Sequence, residues 1–339
     1  MPPLLRYVSR RLLLAAITLL GVVVAVFLLT HVLPSNPAAL RAGPLASEEL
    51  IAQYERDMGL DQPFWAQFAS YARLLARGDL GLSWRTNQPV ATELAQRLPA
   101  TAELALTAFL LALTMGLVLG ILAAVYYASW FDQVVRVFST LGASLALFWL
   151  ALVNVQVFYY VLRWAPSPLG RLTVGQAEPH LVTGLLTIDS LLAGNLGAFR
   201  DAAGHLWLPA FTLAFVVSAP IIKITRGAML DSLRADFVRT ARAIGVPAVQ
   251  VILVDALRNA FIPVLTTLGI VFGYLIAGNV IVERVFAWPG IGQYAWNSMV
   301  TSDFNAVQGF VLLIAIGYVL LNLAIDLAYG FVSPRIRLG

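Results

Sequence analysis

Residues 104–131 read LALTAFLLALTMGLVLGILAAVYYASWF, 28 positions without a charge. An apolar helix rising 1.5 Å per residue needs roughly 20 residues to cross a hydrocarbon layer, so this run is long enough. Backbone groups in lipid must be satisfied internally, which makes helix the expected form. Five further stretches have the same character: Leu12–Leu33, Val137–Leu162, Leu206–Ile222, Asn259–Val282 and Phe304–Ile325. The fourth of the six, Leu206–Ile222, is shorter and is expected to be broken or kinked by Pro209 and Pro220. The whole chain agrees. Of its 339 residues 60% are hydrophobic and 12% charged, with a mean hydropathy of +0.81. Soluble domains average about 45–50% apolar and about 25% charged. The fold expected is an all-α integral membrane protein with six transmembrane helices.

Several chemistries are excluded. There is no cysteine, hence no disulfide, thiolate nucleophile or Cys-ligated metal. His31, His180 and His205 are too far apart for an H-x-x-H site. The sole lysine, Lys223, lies between Ile222 and Ile224, so no Walker A loop exists. Energy for any driven process must come from another chain or an ion gradient. Neither H-E-x-x-H nor G-x-S-x-G occurs, so no catalytic residue and no metal site are expected. An ion-coupled secondary carrier is a remote alternative, because it calls for internal repeats and paired intramembrane carboxylates. Asn322 and Asp326, one turn apart in the last span, read instead as a polar contact near the cytoplasmic end. The net charge of +4 reflects arginines gathered on cytoplasmic loops rather than affinity for nucleic acid.

Arg6, Arg10 and Arg11 precede the first span, which is too long for a signal peptide and lacks a cleavage site. The N-terminus is therefore expected in the cytoplasm. Six crossings then make 1–11, 128–136, 223–258 and 331–339 cytoplasmic, with a basic density about twice that of 34–103, 163–205 and 283–303. In the first outer segment Ser47 caps a helix opened by Glu48 and Glu49 and ended by Gly59. Pro63 starts another, with Phe64, Phe68, Tyr71 and Leu75 on one face and Gly78 as its stop. Glu103 is expected to cap the outer start of the second span. Asp189 and the glycines at 184, 194 and 197 argue against a seventh span within 181–199. Trp288-Pro289-Gly290-Ile-Gly292 suggests a re-entrant turn at the outer mouth, and Gly269, Gly273 and Gly278 suggest close packing.

The 223–258 segment is long for a plain connector. From Asp231 to Gly245 it reads as one helix bearing Ala235, Ala241 and Ala243 with Arg234, Arg239 and Arg242. Pro247 then opens a second helix through Asp255 and Arg258. Two roles fit this helix, glycine turn, helix pattern. Small side chains let a helix sink into a groove on a partner protein, or the segment rests on anionic lipid headgroups.

The stretch Phe237-Val-Arg-Thr-Ala-Arg-Ala-Ile-Gly245 with Ala256-Leu-Arg-Asn-Ala-Phe-Ile-Pro263 resembles the cytoplasmic loop of binding-protein-dependent ABC transporter permeases. It is most similar to the dipeptide/oligopeptide/nickel permease family, first membrane subunit. That loop has an E-A-A-x-x-x-G core; Ala241 and Gly245 match it, while Arg239 and Thr240 replace the glutamate and first alanine. The resemblance runs nearly the whole chain. It includes Arg10-Arg-Leu-Leu, His31-Val-Leu-Pro-Ser-Asn-Pro-Ala, Gly59-Leu-Asp-Gln-Pro, Gly78-Asp-Leu-Gly-Leu-Ser, Leu98-Pro-Ala-Thr-Ala-Glu-Leu, Phe286-Ala-Trp-Pro-Gly-Ile-Gly292 and Ser333-Pro-Arg-Ile-Arg337. The resemblance implies the type I ABC importer permease fold. Residues 1–103 would be a first helix with an outer helical loop, and 104–339 a five-helix permease core. Asp236, Arg239, Thr240, Ala241, Arg242 and Gly245 would couple to the ATPase, and Trp288, Pro289, Gly290 and Gly292 would form an outer-mouth element. It implies a bacterial inner-membrane location with both termini cytoplasmic. The partners would be a second permease, two ATPase subunits and an extracytoplasmic solute-binding protein. ATP and Mg would be bound by the ATPases, with no cofactor in this chain. The implied cargo is a di- or oligopeptide, or alternatively a nickel chelate, glutathione or an opine.

Overall fold

The computed structural model describes residues 3–32, 37–43, 46–57, 59–176, 179–276 and 280–332. Within its helices the side chains of 3–8, 10, 29–32, 37, 40, 41, 57 and 326–332 are left aside. Expectations placed on the side chains of His31, Pro37 and Asp326, and on residues 35, 36, 278 and 333–337, fall outside what is described.

In chain order the helices are α1 (Pro3–Val32), α2 (Pro37–Ala42), α3 (Glu48–Asp57), α4 (Phe64–Ala76), α5 (Val90–Val125), α6 (Trp130–Ser144) and α7 (Leu147–Asn154). They continue with α8 (Leu186–Leu192), α9 (Leu196–Arg234), α10 (Asp236–Ala243), α11 (Ala248–Gln250), α12 (Leu257–Ile276), α13 (Val280–Val285), α14 (Ile291–Val300) and α15 (Phe304–Val332). Two π-helical stretches, Val155–Val161 and Val251–Ala256, extend α7 and join α11 to α12. Among the described residues the only β pairing is an isolated bridge between Leu82 and Pro89.

Among the described residues five helices are long and apolar enough to cross a membrane, and a sixth crossing is formed if the bent pair α6–α7 is one span. This third crossing departs from the straight helix expected over Val137–Leu162. It bends by 109° where Leu145 and Ala146 both turn extended, with ψ 134° and 125°. No proline marks the place; two consecutive extended residues suffice to end the helical hydrogen-bond ladder. The fourth crossing departs the other way. α9 runs unbroken for 39 residues with Pro209 and Pro220 inside it. Neighbouring helices hold a membrane proline helix in shape and re-satisfy its freed backbone groups.

The chain forms two compact units. One comprises 1–99 with 290–339. In it α1 packs on α15 and α4, and Phe27 is buried against Phe64, Phe68 and Tyr71, with ring centroids 5.2–5.6 Å apart. The aromatic face of α4 therefore packs on the first span, with Phe64 still exposed on one side. Elsewhere on α1, Leu12, Leu13, Ile17 and Leu20 are exposed, as suits a lipid-facing helix. Buried Asp303 accepts from Ser83 Oγ at 2.6 Å and from Ala306 N at 3.2 Å, capping α15.

The other unit comprises 100–289, and α9 is its axis, packed by α6, α7, α8 and α12. Leu206, Leu213, Val217 and Ile221 of α9 share a core with Leu104, Ala108 and Ala112 of α5 and Val264, Leu268 and Val271 of α12. α5 crosses α9 closely. A Cβ at Gly116 would collide with Ile221, and one at Gly120 would lie 2.7 Å from Thr225 Cβ. Small residues let two membrane helices approach closely. Close packing of the kind expected of Gly269 and Gly273 in the fifth span is found at Gly116 and Gly120, four residues apart in the second.

Candidate functional site

The 223–258 segment is built differently from the single helix expected over Asp231–Gly245. α9 carries through the first part of it, to Arg234, and Ala235 breaks the helix with ψ 152°. Arg234 and Ala235 are thus not on the same helix as Arg239 and Arg242. α10 is a separate two-turn helix, 236–243. Asp236 and Arg239 lie one turn apart on its surface, 3.3 Å from each other, with side chains 94% and 82% exposed. So open a pair adds little to stability and leaves both charges available to a partner. Thr240 Oγ1 donates back to Asp236 O at 3.1 Å. Arg242 is exposed and Ala241 half-buried, while Val238 on the opposite side is buried.

Gly245 ends α10 at φ +82°. Its N–H donates to Arg242 O at 3.1 Å, and Val246 N donates to Ala241 O at 3.0 Å. These two bonds, with glycine in the left-handed region between them, make a Schellman ending. Pro247 follows as the N-cap of α11. Ile244 and Val249 flank the turn and are exposed, so the corner between the two helices offers an apolar surface rimmed by arginines.

At Trp288–Gly292 the structure shows a packed corner. Trp288 is buried and its Nε1 donates to Ala100 O at 2.8 Å. Ala287 takes φ +45°, and Trp288 N donates to Glu283 O at 2.8 Å. Glu283, which sequence reasoning passed over, is fully buried and accepts from Thr101 Oγ1 at 2.7 Å. Pro289 is exposed, and Gly290 caps α14, which begins at Ile291 with buried Gly292.

Glu103 does not cap a helix. α5 begins 13 residues earlier, at Val90, so Glu103 sits mid-helix and buried. Arg171 Nη2 donates to its Oε2, and Thr187 N and Oγ1 donate to its Oε1 at 2.7 and 2.6 Å. Arg171 also reaches Gly184 O at 3.1 Å and borders an open cavity of about 320 Å³ lined with Thr173, Gln176, Leu181 and Pro289. The neighbouring α8 is seven residues long, too short to span. Its Asp189 is buried, which alone would raise the carboxyl pKa. Thr183 N, Thr183 Oγ1 and Gly184 N, all within 2.9 Å, outweigh burial and hold it below the usual carboxylate range.

Long apolar helices, with a short helix and a glycine turn between the fourth and fifth crossings, define a multi-pass membrane protein. Residues 116–338 match the model of the binding-protein-dependent transport system inner membrane component, and 4–105 match that of the corresponding N-terminal membrane component. The chain belongs to this family, an inner-membrane permease family with the type I importer fold. It is 45% identical over 319 residues, 94% of each chain, to a probable D,D-dipeptide transport system permease protein, DdpB, of Escherichia coli K12. It is 38% identical over 335 residues to the dipeptide transport system permease protein DppB of Alkalihalophilus pseudofirmus, covering 98% of this chain and 100% of that one. It is also 37% identical over 334 residues to the glutathione transport system permease protein GsiC of Escherichia coli O6:H1, covering 98% and 99%.

Proposed function

We propose that this chain is one of two membrane subunits lining the pathway of an ATP-driven importer for di- or oligopeptides. The observation that carries the cargo is the near full-length similarity to dipeptide permeases. In this reading the chain is non-catalytic, and ATP and Mg are bound by two separate ATPase chains. α10 and the Gly245 turn dock into an ATPase, with Asp236, Arg239, Thr240, Ala241 and Arg242 at the contact. The exposure of the charged residues on a short, sharply terminated helix supports that role. An extracytoplasmic binding protein delivers the solute, and Trp288, Pro289, Gly290 and Gly292 shape the outer mouth. Residues 1–103 supply the first transmembrane helix and the outer helical loop, residues 104–339 the permease core of five transmembrane helices, and both termini are cytoplasmic. Glutathione is a second reading, favoured by the 37% identity to a glutathione permease.

The test is purification of this chain alone and with its neighbouring permease, ATPases and binding protein. ATP hydrolysis is expected only from the complex, stimulated by binding protein loaded with dipeptide. Hydrolysis by the isolated chain, or a complex stimulated by glutathione and not by dipeptide, overturns the corresponding part.

A further inference from the structure

We propose that the turn 126–132 between α5 and α6 is latched to the root of α10, with Asp132 and Arg226 as positioning residues, so that a push on α10 moves α5 and α6 together with α9. The proposal rests on the docking role assigned above to α10. Asp132 is buried, and Arg226 grips it in a planar fork: Nε donates to Oδ1 at 2.6 Å and Nη2 to Oδ2 at 2.8 Å. A bidentate guanidinium–carboxylate pair admits essentially one geometry, unlike a point-charge contact. The same carboxylate accepts from Ala128 N at 3.2 Å, where the chain turns at φ +60°, and Ser129 Oγ accepts from Asp132 N to cap α6. One side chain thus ties the turn to itself and to α9.

A second tie lies nearer the lever. The Tyr127 ring has the Arg226 guanidinium 5.7 Å from its centroid on one contact and that of Arg234 at 5.1 Å on another. Both are within cation–π range. Arg234 is the last residue of α9, immediately before the break at Ala235 from which α10 hangs. Behind the latch Ala123, Val135 and Ile222 form a buried apolar cluster with Phe131 and Phe138 packed on it; the Asp132 side chain is 1% exposed and that of Arg226 20%. Otherwise α10 is joined to its unit by backbone at Ala235 and through the Gly245–Pro247 turn, by the buried Val238 and by packing on α9 and the 251–256 stretch; the latch adds the polar tie from this corner to the turn between α5 and α6.

The naturally cysteine-free chain makes the test clean. Asp132→Asn and Arg226→Gln are assayed in the full complex in proteoliposomes, beside Asp132→Cys/Arg226→Cys treated with a short bis-thiosulfonate linker. Each single variant should lower binding-protein-stimulated hydrolysis and dipeptide uptake at least fivefold, with complex yield and basal hydrolysis near those of the parent. Linking the cysteines should restore at least half of the coupling, and reduction should remove it again. Full coupling in both single variants overturns the proposal, and so does a fully linked pair that stays uncoupled. The linked pair also decides if the single variants fail to assemble, since linking is done in membranes before extraction. Arg239→Glu separates the two levels: if that variant couples normally the docking role of α10 fails, whereas its loss beside intact Asp132→Asn coupling refutes the latch alone.

Discussion

Replacing Gly245 offers a graded test of how α10 ends. A Cβ built on Gly245 meets no atom within 4 Å, so within this chain the cost of a side chain is conformational and not steric. Holding an ordinary L-residue in the left-handed region costs about 1–2 kcal/mol, a factor of about 5–30 in the population of the turn. Asparagine visits that region more readily, and a β-branched residue is worst placed there. Coupled hydrolysis and ATPase pull-down should therefore rank Gly245 and Gly245→Asn highest, then Gly245→Ala, then Gly245→Val. The assay is binding-protein-stimulated ATP hydrolysis in proteoliposomes, normalised to complex recovered. Equal activity of Gly245→Val and the parent would refute the argument that the Schellman ending matters. Equal failure of Asn and Val would show that the partner requires empty space there and that backbone strain is not the cause.

Two further expectations rest on the structure and one on the arginine distribution of the sequence. Gly116→Leu should destabilise the purified chain by about 1–3 kcal/mol or prevent folding, because α5 and α9 cannot separate locally without strain; thermal unfolding in detergent reads this, and an unchanged melting temperature would contradict it. Asp189 has a folded pKa below its unfolded value, so its contribution is present at neutral pH and lost only as pH falls through the folded value; protease accessibility of the 183–189 loop should stay constant down to about pH 4 and rise below it, whereas loosening between pH 5 and 7 would contradict the assignment. A cysteine at Ser47 should label from outside the cell and one at Leu338 only from the cytoplasm, and the reverse pattern would invert the topology.

Legibility in the sequence followed the range of the interactions. α1, α5 and α15 are visible because uninterrupted apolar runs have no other stable form in lipid. The Ser47 cap, the stops at Gly59 and Gly78 and the Gly245 turn are visible because each is decided within a few residues, and their φ values of +65°, +75° and +82° carry it out. The break at Leu145–Ala146 left no trace, since neither proline nor glycine occupies it. The continuity of α9 past two prolines was hidden because packing on most sides of the helix decides it. Glu103 was misread because its partner, Arg171, is 68 positions away, and the Asp132–Arg226 pair was missed because 94 positions separate its members. Charge partners at such distances are set by the arrangement of helices, which no local pattern in one sequence encodes.

The central claim is that this chain passes ATP-derived motion from its cytoplasmic helix to a transmembrane solute path. The measurement that meets it most directly is uptake of a labelled dipeptide into proteoliposomes holding this chain, its companion permease and the two ATPases, with loaded binding protein on the outer side and ATP trapped inside. Uptake that requires ATP, ignores proton and sodium ionophores and falls severalfold with Gly245→Val is the predicted result. Uptake that persists without ATP and collapses with the ionophore would contradict the account.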